Sequence, residues 1–145
     1  MVKLLIIADD FTGALDTGIQ FKKQGICTQV FTKKQISDDE IKPDTQVLVI
    51  DSETRPLSKD EAYSEVKSIA EWALSAGIEI IFKKTDSALR GNIGAELSAL
   101  ADAAKNGTVF FLPGYCKARS VYQHALQPLH NDHTAPSVMP LQSLV

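Results

Sequence analysis

Short apolar runs alternate with amphipathic stretches along most of the chain, and this alternation constrains the fold more than any other feature. Each run is strand length, and the first, at residues 3–8, has the continuous apolar pattern of a strand buried on both faces. Strands that alternate with helices predict a mainly parallel sheet with helices on both faces. We therefore predict an α/β fold: a doubly wound, three-layer αβα domain of five strands, at residues 3–8, 27–31, 46–50, 79–82 and 108–112.

Three amphipathic segments follow the first, third and fourth of these runs. The second segment opens on a capping-box pattern, with Ser58 and Glu61 placed to satisfy each other's free backbone N–H groups. Apolar side chains at helical spacing predict the buried face of each helix. The predicted faces are Phe11, Leu15, Gly18 and Ile19; Ala62, Val66, Ile69, Ala70 and Ala73; and Ile93, Leu97, Leu100, Ala101 and Ala104.

Charge and composition exclude several classes of function. A formal net charge of −3 gives no electrostatic reason to expect nucleic acid or an anionic membrane as a partner. The apolar run at the N-terminus is too short for a signal-peptide core or a membrane span. Two cysteines without metal spacing and three histidines without ligand spacing predict no metal site. We expect a cytoplasmic protein whose partner is a small molecule.

Polar side chains follow the predicted strands at the edge where their carboxyl ends meet. In a doubly wound sheet, ligands bind in the crevice at that edge. The opposite loops, around Gly25 and Gly77, are plain. The residues that the sequence brings to the ligand edge are Asp9, Asp10 and Thr12; Asp51, Ser52, Glu53 and Arg55; Lys83, Lys84, Asp86, Ser87 and Arg90; and Lys117 and Arg119.

The stretch from residue 83 to residue 94 gathers two lysines, an arginine, a carboxylate and a hydroxyl before a helix. Free N–H groups at a helix start attract anions, so this turn could hold an anionic small molecule. The alternative is a solvated turn with an ordinary helix cap. Lys83 and Lys84 alternate faces if the strand continues through them, so we expect one of the two to point into the crevice.

Asp9 and Asp10 admit two interpretations. One carboxylate can cap the first helix and meet its dipole, and the second is better explained by a substrate hydroxyl or a metal-bound phosphate. Arg55 and Arg90 are either surface ion pairs of little energetic value or forks that capture a carboxylate or phosphate. No glycine-rich dinucleotide or P-loop motif is present.

Three segments together resemble the N-terminal part of the four-carbon acid sugar kinases, which include D-threonate, D-erythronate and 3-oxotetronate kinases. They are Ala-Asp-Asp-Phe-Thr-Gly-Ala-Leu-Asp-Thr-Gly at residues 8–18, Asp-Ser-Glu-Thr-Arg at residues 51–55, and residues 83–96. The resemblance covers residues 1–112 well. It departs at Ala88, where the family usually has threonine, and at Ala118, where the family tends to have glycine before the arginine.

The resemblance implies phosphorylation of a terminal hydroxyl on a four-carbon sugar acid. ATP and Mg²⁺ would then belong to a second, C-terminal domain, and neither is expected to bind this chain alone. The resemblance makes Asp10 and Asp86 the catalytic candidates and makes Lys84 and Arg119 candidates to face the transferred phosphoryl group. The implied substrate-binding residues are Asp9, Thr12, Asp51, Arg55, Lys84, Ser87, Arg90, Gly91 and Asn92.

Members of that family are much longer than this chain. We therefore expect residues 1–145 to be an incomplete, truncated N-terminal substrate-binding domain without its nucleotide-binding partner domain. Its irregular tail is expected from about residue 120 onward. Three interpretations stay open: an inactive fragment, which we favour, half of a split kinase, or a stand-alone sugar-acid-binding module. A shortened sheet also has reason to self-associate.

Overall fold

The computed structural model describes residues 1–32, 36–78, 80–105 and 108–112. Four parallel strands form one sheet in the order β2-β3-β1-β4. Helices α1, α2 and α3 follow β1, β3 and β4, and a single 3₁₀ turn at Asp38–Glu40 precedes β3. The element bounds are β1 Leu4–Ala8, α1 Phe11–Lys23, β2 Thr28–Phe31, β3 Val47–Asp51, α2 Lys59–Ser75, β4 Ile80–Lys84 and α3 Ile93–Ala104.

The predicted fifth strand is not confirmed. Residues 108–112 carry no strand pairing, so the sheet has four strands within the described part of the chain. Phe110 and Leu112 are 77% and 65% exposed. An apolar run predicts burial, but it becomes a strand only where a neighbouring edge supplies ladder hydrogen bonds, which the sequence does not specify.

The α/β, three-layer architecture is confirmed. Alternate side chains of β1 point to opposite faces of the sheet. Leu5 and Ile7 pack in the larger core with residues of α2 and α3. Ile6 and Ala8 pack in a smaller core with Ala14 of α1. The sheet thus lies between α1 on one face and the α2–α3 pair on the other.

Helix α2 forms as its sequence predicts. Ser58 accepts a hydrogen bond from the backbone N–H of Glu61, and the Glu61 carboxylate accepts one from the backbone N–H of Ser58. This capping box satisfies groups that would otherwise have no partner at the helix start. The predicted stripe is also the buried face: Ala62, Val66, Ile69, Ala70 and Ala73.

The predicted face of α1 is wrong at its three large residues. The predicted face of α3 is wrong at Ala101, which is exposed, whereas its other predicted residues are buried or half-buried. In α1 the large side chains Phe11, Leu15 and Ile19 are 48%, 44% and 45% exposed, and the buried residues are Gly13, Ala14 and Gly18. A Cβ on Gly18 would lie 3.2 Å from a Val30 methyl group, so α1 approaches the sheet through its small residues. In α3 the buried residues are Glu96, Ala99, Leu100 and Ala103.

The topology opens a crevice around the end of β1. From β1 the chain leaves to one face of the sheet, whereas from its neighbours β3 and β4 it leaves to the other. Such a reversal keeps the following segments apart and leaves a gap at the carboxyl ends of the strands.

None of the helices in the described part of the chain combines the length and the apolar character that a membrane span requires.

Candidate functional site

Arg55 lies at the centre of the crevice and joins three loops. Its Nε donates to Asp9 Oδ2 at 2.9 Å, and its Nη1 donates to Asp10 Oδ2 at 2.7 Å. Its Nη2 lies 3.5 Å from Asp86 Oδ1. The three carboxylates follow β1 and β4, and Arg55 follows β3. We call Asp9, Asp10, Arg55, Asp86 and Arg90 the outer cluster.

The backbone places Arg55 by continuing the pairing of β3 with β1. The Ser52 N–H donates to the Ala8 carbonyl at 2.9 Å, and the Arg55 N–H donates to the Asp9 carbonyl at 3.2 Å. The loop after β3 therefore stays beside the loop after β1 for several residues. The hydrogen bond to Asp9 and the neighbouring carboxylates raise the pKa of Arg55, so its charge is permanent.

Asp86 is fully engaged by its own turn. Arg90 binds it through two parallel bonds, Nε to Oδ2 at 2.8 Å and Nη2 to Oδ1 at 2.9 Å. The backbone N–H groups of Ala88 and Arg90 also donate to Oδ2, each at 3.1 Å. The Arg90 hydrogen bonds hold the pKa of Asp86 well below its usual range, despite partial burial. Asp86 is therefore a strong anchor for Arg90 and a weak proton acceptor.

The two adjacent aspartates after β1 both bind Arg55 through Oδ2 and differ at Oδ1. Asp10 caps α1, since its Oδ1 accepts from the Gly13 N–H at 2.8 Å, and this explains one carboxylate as expected. Asp9 is 1% exposed, and its Oδ1 has no hydrogen-bond partner among the described residues. Both aspartates line a cavity of about 350 Å³, together with Phe11, Glu53, Arg55, Pro56 and Leu57.

The turn before α3 is shaped around Arg55. Gly91 has φ +92°, and a Cβ there would lie 3.1 Å from Arg55 Cγ, so both the conformation and the close approach favour glycine. The Asn92 side-chain amide donates to the carbonyls of Thr54 at 3.0 Å and Leu57 at 2.8 Å. It gives α3 no side-chain cap, so Asn92 does not occupy the first N–H groups of that helix, which are the groups that attract anions at a helix start.

Lys83 and Lys84 point to opposite faces of the sheet, as predicted. Lys84 lies on the α1 side, where its Nζ donates to the Thr85 carbonyl at 2.6 Å and would be 3.3 Å from a Cβ on Gly13. Lys83 lies on the α3 side, with its Nζ 3.1 Å from Glu96 Oε2. Lys84 is the lysine on the same face as the helix that Asp10 caps.

The remaining predicted residues lie at or beyond the margin of this network. Asp51 is buried at the end of β3, where its Oδ1 accepts from the Glu53 N–H at 3.2 Å, and burial raises its pKa. Thr12 and Ser87 are exposed, in the first turn of α1 and in the turn after β4. The hydrogen bonds of the outer cluster do not include these three side chains. Arg119 lies outside the described residues.

Sequence reasoning missed Glu96, which is 1% exposed and paired with Lys83. The signal was a basic residue inside an apolar strand and an acidic residue one turn before the small residues Ala99 and Ala103. A metal site finds no support in the geometry, since no cluster of three or more His, Cys, Asp and Glu suited to a metal ion occurs in the described ranges.

Comparison with known proteins identifies the family. The model of the sugar-binding N-terminal domain family matches residues 4–135. This chain belongs to that family. A D-threonate kinase of Salmonella typhimurium is 38% identical over 105 residues, which cover 72% of this chain and 24% of the relative. A 3-oxo-tetronate kinase of Pectobacterium atrosepticum is 32% identical over 128 residues, which cover 85% of this chain and 30% of the relative.

A solved structure from Bordetella bronchiseptica shares the fold. It is described as a domain of unknown function (DUF1537) with bound citrate, in a domain-swapped dimer. The match has a TM-score of 0.64 and 33% sequence identity, and it covers 70% of this chain and 26% of that one. This chain spans about a quarter of the length of the first-named kinase, at 24%. The resemblance to tetronate kinases seen in the sequence is therefore confirmed for the region that this chain matches.

Proposed function

We propose that this chain holds the acceptor of a kinase that transfers a phosphoryl group from ATP to the terminal hydroxyl of a four-carbon sugar acid. Membership of the sugar-binding family and the names of the similar kinases support this proposal. The observation that carries it is Arg55, which draws carboxylates from two other loops to the mouth of a cavity. This polar cluster is partly exposed to solvent at the cavity, where a small ligand could reach it.

The carboxylate of the sugar acid belongs on the side of Arg90 and α3. Arg55 is surrounded by three carboxylates, which would repel an anion that approached it directly. Arg90 binds Asp86 through Nε and Nη2, and its side chain is 69% exposed. Together with the uncapped start of α3, after Gly91 and Asn92, it presents cationic and N–H donors to solvent.

The hydroxyl groups belong on the side of Asp10. Its carboxylate is 29% exposed and shares one oxygen with Arg55, so it can also accept a hydrogen bond from a ligand hydroxyl. Of the two proposed catalytic aspartates, Asp10 is the better candidate to orient the attacking hydroxyl, because the low pKa of Asp86 makes that carboxylate a poor base. We assign Asp86 to holding Arg90 and Arg55 in place.

Phosphoryl transfer depends mainly on positioning and on charge stabilisation. Lys84, on the α1 side of the crevice, and Arg119 are our candidates to face the transferred group. We assign no magnesium site to the outer carboxylates, because Arg55 and Arg90 already form ion pairs with all three of them. ATP and Mg²⁺ would bind a part of the kinase other than the region that this chain matches, either in the same polypeptide or in a separate subunit.

Calorimetry with the purified chain tests the acceptor site. D-threonate and D-erythronate should bind, whereas the matching neutral tetritols should bind much more weakly, because they lack the carboxylate. Replacing Arg90 by alanine should weaken sugar-acid binding about tenfold or more, since charge-assisted hydrogen bonds are the strong ones. Lys67→Ala is the matched control, because Lys67 lies over the Tyr63 ring on α2.

Two results would contradict the proposed acceptor site. Equal affinity for the acid and the neutral tetritol would show that no carboxylate is recognised, and an unaffected Arg90→Ala variant would exclude Arg90 from the site. A phosphoryl-transfer assay with ATP and the same acids then separates the open alternatives. Transfer by the isolated chain would contradict the proposal that the nucleotide binds elsewhere.

We also propose that a second copy of the chain covers the β4 edge. Within the described residues β4 pairs on one side only, with β1, and its Ile80 and Phe82 are 59% and 46% exposed. An exposed apolar edge strand favours association. The domain-swapped dimer of the Bordetella structure is a precedent. Light scattering after size exclusion should give twice the monomer mass, and a monomer at all concentrations would contradict this proposal.

A further inference from the structure

A second set of polar side chains lies beneath the outer cluster, in the core between the sheet and α3. Lys83 Nζ is 3.1 Å from Glu96 Oε2, and these side chains are 3% and 1% exposed. The other Glu96 oxygen accepts from the Thr54 hydroxyl, whose Oγ1 is 3.1 Å from Ser52 Oγ. We call Lys83, Glu96, Thr54 and Ser52 the inner network.

Each end of the inner network is bonded to the backbone beside a residue of the site. Thr54 directly precedes Arg55 in the loop after β3. Ser52 Oγ donates to the carbonyl of Ala8 at 2.7 Å, and Ala8 directly precedes Asp9. Lys83 Nζ donates to the carbonyl of the next residue along β4, at 3.2 Å. The network therefore ties together the ends of β1, β3 and β4.

Electrostatics connect the two sets of residues as well. Burial lowers the pKa of Lys83, and the negative charges of Glu96 and Asp9 oppose that effect. Asp9 is thus close enough to feel the Lys83 ammonium, and its Oδ1 lacks any hydrogen-bond partner in the described structure. Charges alternate in sign from Glu96 through Lys83 and Asp9 to Arg55.

Stability alone does not account for a buried ion pair of this kind. Replacing such a pair by apolar side chains of similar size is often neutral or stabilising, because the desolvation of two charges offsets their attraction. A pair that contributes little net stability here still fixes where Thr54 and Asp9 lie. These two positions determine where the Arg55 guanidinium is held.

We propose that Lys83 and Glu96 are positioning residues for the acceptor site and act through Thr54 and Asp9 on Arg55. The part of this proposal that concerns ligand affinity rests on the proposed function. The part that concerns the Arg55 side chain does not, because its position can be observed in the free chain.

The test is the double variant Lys83→Met/Glu96→Met, which removes both charges and keeps similar volumes. The chain should fold with near wild-type resistance to urea. The ¹⁵N NMR signal of the Arg55 Nε–H, which is bonded to Asp9, should shift and exchange faster with water. Affinity for the sugar acid should fall about tenfold or more, by analogy with metal sites, where loss of the groups that orient the ligating residues typically costs about 10–100-fold.

Tyr63→Phe is the matched control. It removes the 2.6 Å hydrogen bond from Tyr63 on α2 to Asp102 on α3, the helix that also carries Glu96, and it does not contact the outer cluster. The Arg55 signal and the sugar-acid affinity should both stay at wild-type values in this variant. Any general loosening of the α2–α3 contact would affect the control and the double variant alike.

A folded double variant with a wild-type Arg55 signal and wild-type affinity would overturn the proposal. If the double variant fails to fold, Thr54→Val is measured instead, because it keeps the Lys83–Glu96 pair and the shape of residue 54 but removes the hydroxyl that joins Glu96 to the loop before Arg55. The Arg55 NMR signal and the sugar-acid affinity of that variant then decide whether the proposal holds. If the wild-type chain binds no four-carbon acid, the proposed function fails, and the Arg55 signal alone decides whether Lys83 and Glu96 position the arginine.

Discussion

The outer cluster and the inner network use the same kinds of side chain in opposite ways. In the outer cluster Arg55, Asp10 and Arg90 are 24%, 29% and 69% exposed, and three carboxylates share two guanidinium groups. In the inner network one lysine and one glutamate pair at 3% and 1% exposure. This difference in exposure and in charge balance determines which set can exchange a protein partner for a ligand. In the outer cluster the charges are partly solvated and unequal in number, so one of them can exchange its protein partner for a ligand. In the inner network the pair is buried and matched one to one, so it cannot.

Breaking the inner pair on one side should have the largest effect on stability. Glu96→Ala leaves the Lys83 ammonium buried without its counter-ion, which typically costs about 3–5 kcal/mol in free energy of unfolding. Urea denaturation followed by circular dichroism measures the loss. Glu71→Ala on the exposed surface of α2 is the matched control and should leave the midpoint almost unchanged. A loss of under about 1 kcal/mol would mean that Lys83 finds another partner or deprotonates at no cost.

Removing Arg55 from the centre of the outer cluster should lower the free energy of unfolding by less than breaking the inner pair does. Arg55→Ala removes two charge-assisted hydrogen bonds, to Asp9 and Asp10, from a partly solvated site. We expect a loss of about 1.5–3 kcal/mol, because water reaches Asp10 and can replace part of what is removed. Arg90→Ala is the arginine control, and urea denaturation should show much less change, since that side chain is largely exposed. Equal losses for the two arginines would contradict the central place of Arg55.

The fit of the outer cluster to its supporting turn can be tested without removing a charge. Gly91 and Gly77 both have positive φ, +92° and +77°, but a Cβ would meet Arg55 at Gly91 and nothing within 4 Å at Gly77. Alanine at either position should cost roughly 1 kcal/mol in free energy of unfolding through backbone strain. Gly91→Ala should additionally displace Arg55 and weaken sugar-acid binding. Identical binding by the two variants would show that Arg55 tolerates the contact.

The sequence predicts the layers of this fold better than the faces of its helices. The stripe of α2 is correct because every apolar residue at its helical spacing, whether alanine, valine or isoleucine, lies on the buried side, and its start carries a capping box. The stripe of α1 is wrong because Gly13, Ala14 and Gly18 allow a close approach to the sheet that large side chains would prevent. Hydrophobicity ranks side chains by transfer free energy and does not record how closely two backbones can pack.

The candidate site shows the same division between what can and cannot be predicted. Strand order along the chain is enough to bring Asp9, Arg55 and Asp86 to one edge of the sheet. It does not indicate that Arg55 binds protein carboxylates, because that depends on the turn at Leu89 and Gly91, where both residues have positive φ. The burial of Glu96 was harder to predict, since a glutamate enters a core only when a partner such as Lys83 lies beside it, and the two residues meet only in the folded chain.

The smallest expected effects concern how stability depends on pH, where Asp86 and Asp51 should act in opposite directions. Arg90 lowers the pKa of Asp86 below the ordinary value of 3.8, so its ionised form stabilises the fold above that pH and the benefit is lost as pH falls through the lowered pKa. Burial raises the pKa of Asp51, so its contribution to stability has the opposite sign: it is present at low pH and lost as pH rises through the raised pKa.

Asp86→Asn should therefore destabilise the chain at neutral pH and flatten its acid unfolding profile. Asp51→Asn should leave neutral stability equal or higher and make the acid profile steeper. Urea midpoints measured between about pH 2 and 7 decide this, and the same acid slope in wild type and Asp86→Asn would show that the Arg90 fork adds no stability to the outer cluster.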